Sequence, residues 1–341
     1  MEMSITDKSQ TKWADFSLLP TPQIQLFRED DGENRFYYWL GVENEKIVVN
    51  TGVGITTLLS AVMPTSPYLV EWKLNNPNWR DLLKWSSSYG TLLHMAYGSF
   101  LLNRTVPREV IEAAREIAVK AGQGHDMIEK DLLAFAKFVD DYEVEPLLIE
   151  AMLISKPIGH AKQHFCQTID LLAKIKTKET LWEVVEDGTY KSGKNKGKVK
   201  TKKVRTTKTT SKIICIDFKS NFFEKANKSF FNSHQHQLIG AKEAVEYNFP
   251  DVKVDAIANF APNNWRTNPS YSFKVWDVTA KDKRIFDGYI NIAYVKELFT
   301  PSGTKFVAPS FEEGSDMKYE MLDYVGFVKK YRLNLDDTCT V

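Results

Sequence analysis

Seven residues, Ile213-Ile214-Cys215-Ile216-Asp217-Phe218-Lys219, constrain this chain more than any other stretch: an apolar run closes on an acid and a lysine two positions apart. Short apolar runs of this kind form buried strands, and on a strand every second side chain shares a face. Asp217 and Lys219 therefore point into the same space. A hard divalent cation takes oxygen ligands such as the Asp217 carboxylate. A neighbouring lysine can steer or deprotonate an attacking water and balance charge growing on a phosphate. Phosphodiester hydrolysis uses both. Alone, the Asp-x-Lys tripeptide more commonly marks a surface strand with an ion pair, so its surroundings carry the reading.

Cys166-Gln167-Thr168-Ile169-Asp170-Leu171-Leu172 is a second apolar run with one acid inside it, and a buried acid needs a partner or a metal. Gly90-Thr91-Leu92-Leu93-His94 opens a helical run that offers an imidazole, and Glu150 sits in Leu148-Ile149-Glu150-Ala151. Downstream, the stretch from Gln235 to Ala244 predicts an amphipathic helix with Gln237 near its start. The chain thus presents His, Glu, Asp, Asp-x-Lys and Gln in that order.

Taken together, Gly90-Thr91-x-x-His94, Glu150, Thr168-Ile169-Asp170, Ile216-Asp217-Phe218-Lys219 and Gln237-Leu238 resemble the motif order of the RecB-like branch of the PD-(D/E)XK nucleases. Within it the chain is similar to the single-strand DNA exonuclease group typified by the mitochondrial genome maintenance exonuclease. The likeness runs from about Thr51 to Tyr294 and includes Gly54-Ile55-Thr56-Thr57-Leu58-Leu59, placed where the family has a Val-Thr-x-x-Leu element. It implies an α/β fold with a PD-(D/E)XK restriction-endonuclease-like core: a central mixed sheet flanked by helices, with the acids and lysine at one edge. It also implies that Mg²⁺ or Mn²⁺ is held by His94, Asp170, Asp217 and the Phe218 carbonyl. In the same scheme Lys219 is the catalytic lysine, Gln237 orients it, the water or the phosphate, and Glu150 lies near the metal.

The chain departs from the family twice. Gln167 and Thr168 stand where a glycine usually precedes the first acid, which bears on local geometry. The four cysteines that hold an iron-sulfur cluster in some relatives are reduced to Cys166, Cys215 and Cys339, without CxxC spacing. Buried free thiols are the expectation, in keeping with a reducing cytoplasm. Met1 to Lys12 is too polar for a signal peptide, and no apolar run reaches the roughly 20 residues of a spanning helix, so a cytoplasmic protein without a membrane partner is expected. Gly52-Val53-Gly54-Ile55-Thr56-Thr57 lacks the Gly-Lys-Ser/Thr ending of a phosphate loop, so no nucleotide cofactor is expected. The resemblance makes a helicase partner plausible.

Net charge is +1, so nucleic-acid binding has to come from a local patch. One exists. From Tyr190 to Lys212 there is no acid, and Lys194, Lys196, Lys198, Lys200, Lys202, Lys203 and Arg205 are candidate phosphate contacts. This segment lies between the Asp170 and Asp217 strands, and its flanks alternate as the arms of a long basic β-hairpin inserted over about 177–212. A solvated lysine loop would have the same composition. With 341 residues, 43% of them hydrophobic, the chain can build one elaborated domain or two. The expected division is an N-terminal strand-containing extension over 1–52, a nuclease domain over 53–298 and a C-terminal tail over 299–341. Helices are expected over Ile55 to Met63, Tyr68 to Lys73, Trp79 to Leu102, Arg108 to Lys120, Met127 to Asp141 and Asp287 to Leu298.

Smaller features have ordinary readings. His160 and His164 flank a strand rather than cap a metal, His234 and His236 start a helix, and most of Phe222, Phe223, Phe230 and Phe231 pack in the core. The functional expectation is a metal-dependent exonuclease on single-stranded DNA ends. The alternatives are an endonuclease on the same fold, or a non-catalytic nucleic-acid-binding or scaffold protein.

Overall fold

The computed structural model describes residues 16–19, 24, 26–31, 34–43, 46–223, 228–299 and 338–341. The apolar runs form an antiparallel meander of β6 (Glu145–Ile154), β7 (Phe165–Thr189) and β8 (Val199–Phe218). β9 (Ala256–Pro262) lies parallel to β8, and β10 (Tyr271–Trp276) closes that side antiparallel to β9. On the other side β4 (Lys46–Gly54) joins β7 in parallel through Val53 and Gly54, and β3 (Asn34–Glu43) and β2 (Phe27–Asp31) follow antiparallel. The short β1 (Phe16–Ser17) pairs with β6. The result is an α/β fold with a central mixed sheet flanked by helices. β4 runs across the boundary expected after Gly52 and carries the N-terminal strands into the main sheet.

Helices cover both faces because alternate strand residues are apolar in both directions. On one face α3 (Trp79–Asn103), α4 (Arg108–Lys120) and α5 (Met127–Asp141) bury Leu171, Ile216, Phe218 and Phe260. Val110, Ile111, Ala114, Ile117 and Ala118 of α4 recur at helical spacing, which is what puts a single stripe inward. Tyr97 of α3 stacks on Phe135 of α5 with ring centroids 3.9 Å apart, and both stand edge-on to Phe218. On the opposite face α1 (Ile55–Val62), α6 (Asn232–Asn248) and α7 (Ala280–Val295) cover Leu172, Cys215 and Ile257. A Cβ at Gly240 of α6 would stand 3.2 Å from the Ile55 side chain, so glycine lets α6 settle on α1. α2 (Pro67–Asn75) buries no residue.

α7 begins at Ala280, well before the expected Asp287. Thr279 caps it: its hydroxyl accepts from the Asp282 backbone N–H, and Asp282 accepts from the Thr279 N–H. That reciprocal capping box is written in the sequence as Thr-x-x-Asp, and it supports a helix start that hydrophobic periodicity alone placed too late. β11 (Thr338–Thr340) pairs with β5 (Thr105–Pro107), the strand between α3 and α4, and Cys339 packs on the core there.

One row of the sheet breaks the two-residue alternation. Ile149 and Leu171 pair and face the α3 side, whereas Ala151 and Ile169 pair and face the α6 side. Residues two apart on a regular strand share a face. The phase is reset between them, at Glu150 and Asp170, and Glu150 makes the reset with a left-handed backbone (φ 51°). Past the core, β7 and β8 continue as a two-stranded ribbon whose ladder holds one register from Leu171↔Ile216 to Glu186↔Thr201. Gly193 and Gly197, both at positive φ, shape its tip.

Candidate active site

The site forms where the reset row meets the ends of β8 and α3. Asp170 lies on β7 beside the end of β8, and its Oδ2 accepts from the Phe218 backbone N–H at 2.7 Å. In an extended strand a residue's N–H and C=O point to the same edge, so the Phe218 carbonyl faces the Asp170 side as well. His94, on the buried side of α3, presents Nδ1 to Glu150 Oε1 at 3.0 Å and to Asp170 Oδ1 at 3.7 Å. The Phe218 ring stands edge-on to the imidazole, with centroids 5.6 Å apart, and fixes its plane. One donor atom from each of His94, Glu150 and Asp170 lies within 4.8 Å of the other two.

Asp217 and Lys219 share a face, as their spacing predicts, and Lys219 Nζ donates to Asp217 Oδ1 at 2.8 Å. The second Asp217 oxygen accepts from the amide of Asn259 at 2.5 Å, and Trp276 Nε1 donates to Asn259 Oδ1 at 2.7 Å. Gln237, one turn into α6, places Oε1 3.5 Å from Lys219 Nζ. The Lys219 backbone N–H is held by the Phe260 carbonyl at 2.8 Å, which ties the lysine to the β8–β9 ladder.

Compared with protein-family models, curated proteins and solved structures, this chain matches none. Its chemistry therefore has to be read from the site itself.

The expected ligands divide into two neighbouring sets. His94, Glu150 and Asp170 form the compact donor group, while Asp217 is committed to Lys219 and Asn259. Glu150, expected near the metal, stands within this donor group and bonds the imidazole. The electrostatics follow. Burial alone would lower the His94 pKa, but Asp170 and Glu150 outweigh it and hold the imidazole up to about 9. Burial, with Asp217 and Glu150 adding repulsion against the pull of His94, pushes the Asp170 carboxyl up to about 7. Protons on these two groups stand where a cation would neutralise the acids. His234 is driven down to about 4 by burial and then by the Lys219 charge, so it lies neutral beside the lysine.

Several supporting residues went unread in the sequence. Asn259 is fully buried in the apolar run Ala256-Ile257-Ala258-Asn259-Phe260, and a lone amide in such a run was the available signal. Tyr89 donates to Asp131 Oδ2 at 2.7 Å, a buried bond that ties α3 to α5 little more than one turn before His94. Thr168 is held by Arg28 at 2.9 Å and Tyr37 at 3.2 Å, so the N-terminal strands brace β7 two residues from Asp170. His164 does not approach the site; its Nδ1 meets the Ser155 carbonyl at 2.6 Å.

The basic residues sit apart from the acids, along the ribbon. Lys194, Lys196 and Lys198 lie in the tip. Lys200 and Lys202 both reach Asp187, at 3.1 and 2.9 Å. Lys203 and Arg205 pair across the strand with Val184 and Trp182.

Proposed function

We propose that this chain is a metal-dependent deoxyribonuclease of the RecB-like PD-(D/E)XK kind, hydrolysing phosphodiester bonds at the ends of single-stranded DNA. The supporting observation is the convergence of His94, Glu150 and Asp170 donor atoms within 4.8 Å, beside an Asp217–Lys219 couple held by Gln237 and Asn259. Two carboxylates with one imidazole suit Mg²⁺ or Mn²⁺, the nitrogen donor favouring Mn²⁺. The fit is also electrostatic, because three acids crowd a site with one lysine and take up protons on Asp170 and His94 in its place. His94, Glu150 and Asp170 would hold the ion, with Asp217 and the Phe218 carbonyl at its margin. Such an ion supplies a Lewis acid for the phosphate and a water of lowered pKa.

The protein's own groups do the positioning. An ammonium has three N–H donors. Two of those on Lys219 are directed to Asp217 and Gln237, leaving the third for the attacking water or a phosphate oxygen. Gln237 and Asp217 thereby aim the lysine, and the Asn259 amide fixes Asp217. No helix among the described residues is long and apolar enough to cross a membrane. Across 177–212 eleven Lys and Arg stand against four Asp and Glu, a local positive field on a chain of net charge +1 that suits a phosphate backbone. The preference for single-stranded ends rests on the motif resemblance, and a helicase partner would supply such ends.

The test is cleavage of end-labelled linear single-stranded DNA beside a closed single-stranded circle, in Mg²⁺, Mn²⁺ or EDTA, with wild type and Asp217→Ala. Metal-dependent loss of the linear strand alone, absent in the variant, is the expected result. Cutting of the circle would make the enzyme an endonuclease. No cutting under any metal would leave a binding or scaffold protein.

A further inference from the structure

The ribbon's two sides differ chemically, and the sequence of basic residues conceals this. Because β7 and β8 keep one register from Leu171↔Ile216 to Glu186↔Thr201, cross-strand partners fall on the same side. One side carries Glu183 and Asp187 with Lys200 and Lys202, and Asp187 pairs with both lysines. Its charges are largely cancelled. The other side carries Trp182 opposite Arg205, Val184 opposite Lys203 and one acid, Glu186, opposite Thr201, and Arg205 also donates to the Thr180 hydroxyl at 3.4 Å. Trp182 is 64% exposed and Val184 62%, and among the described residues neither Arg205 nor Lys203 makes an ion pair.

An exposed indole next to two unpaired cations is poorly placed for solvent and well placed for a nucleic acid. Every base has a π-face that can stack on it, while the phosphates on either side meet Arg205 and Lys203. Stacking requires a base that is not already sandwiched in a duplex. The geometry points to this side of the β7–β8 ribbon as the seat of a single-stranded segment of the substrate, one base stacked on Trp182. The assignment rests on the nuclease reading for its connection to the site.

Reach makes the idea quantitative. Arg205 stands 12 and 14 steps before Asp217 and Lys219 along β8, and because α1, α6 and α7 cover Cys215 between them, a strand seated on the ribbon reaches the site around these helices rather than along the sheet. The 14 positions between Arg205 and Lys219 span roughly 45 Å at about 3.3 Å each. A strand of about 20 nucleotides, roughly 68 Å at 3.4 Å per stacked nucleotide, bridges that gap, and one of about 6, roughly 20 Å, does not.

The experiment is fluorescence anisotropy of both oligonucleotides with the full chain in EDTA, followed by cleavage of the same oligonucleotides in Mn²⁺. Trp182→Ala should weaken binding of the long strand about 5- to 140-fold and leave cleavage of the short one, which cannot touch the ribbon and the site at once, unchanged. Lys203→Glu with Arg205→Glu should weaken it further and flatten its salt dependence by at least about 1.4 in log–log slope. Lys200→Glu with Lys202→Glu, on the side where Asp187 already pairs both lysines, should weaken it several-fold less than the Lys203 and Arg205 pair. Equal losses from the two charge-reversed pairs, no effect of Trp182→Ala, or a duplex bound as tightly as the single strand would each overturn the assignment. Cleavage without any dependence on Trp182 overturns it while sparing the nuclease reading. Trp182-dependent binding without cleavage by the wild type overturns the nuclease reading and leaves the ribbon assignment standing.

Discussion

Asn259 donates its side-chain amide to Asp217 Oδ2 at 2.5 Å from a position that solvent does not reach. Through its own Oδ1 it also receives the Trp276 indole N–H. A charged acid in a nearly closed strand is stable only with such donors. The amide, the lysine and the acid therefore stand or fall together.

Asn259→Asp places a second carboxylate against Asp217. Two carboxylates at hydrogen-bond distance repel, so this variant should lose both stability and single-turnover cleavage at pH 7. Asn259→Leu leaves the Trp276 donor and one Asp217 oxygen unpaired and should cost about 1–3 kcal/mol in denaturant unfolding. Undiminished cleavage in Asn259→Asp would show that the contact between Asn259 and Asp217 does not serve the reaction.

Lys219→Ala removes the donor aimed by Asp217 and Gln237. Single-turnover cleavage should fall by about 10²–10⁴, while binding of single-stranded DNA changes little. Asp217→Ala should behave likewise. Persistent cutting in both variants would place the chemistry elsewhere.

Glu150→Gly tests strain and ligation at once. A non-glycine residue at φ 51° costs about 1–2 kcal/mol that glycine is spared. Set against the chain entropy of glycine, this leaves a gain of up to about 1 kcal/mol. Relief of the repulsion on Asp170 adds to it, and loss of the bond to His94 subtracts. Without metal the variant should melt close to the wild-type temperature. With saturating Mn²⁺ the wild type should gain about 2.7 kcal/mol at 100-fold excess over Kd, and the variant should lose most of that gain. Asp217→Asn should lose less, because Asp217 lies outside the compact donor group.

Asp131 gives stability a pH dependence of its own. Burial holds its carboxyl up to about 7, only partly offset by the Tyr89 bond. The folded pKa lies above the unfolded one, so this contribution is complete below about pH 4. It is lost as pH rises from about 4 through about 7. Asp131→Asn keeps an acceptor for Tyr89 and cannot titrate. The difference in unfolding free energy between variant and wild type should therefore grow in the variant's favour across that window, by a few kcal/mol, and level off above it. A difference that stays constant with pH would show that Asp131 is ionised in the fold.

Much of this was legible in the chain. The helices over Arg108–Lys120 and Met127–Asp141 follow from local apolar spacing, and the shared face of Asp217 and Lys219 follows from strand alternation. What stayed hidden depends on partners far along the chain. Thr168 gains its role from Arg28 and Tyr37, over a hundred residues upstream, and β4 meets β7 through a short parallel contact that no local pattern announces. The left-handed backbone of Glu150 was equally invisible, since a glutamate in an apolar run gives no turn signal. The opposed characters of Lys202 and Lys203, adjacent in sequence, appear only once the register is known.

That unbroken register also governs how such an arm can grow. Lengthening each strand of the ribbon by two residues carries the tip farther out and returns every side chain to its former side. A single residue added to one strand turns everything beyond it over, bringing Asp187 round to where Trp182 now looks out. Reach is thus adjustable only in whole pleats, and lineages or designs that change it should do so in even steps.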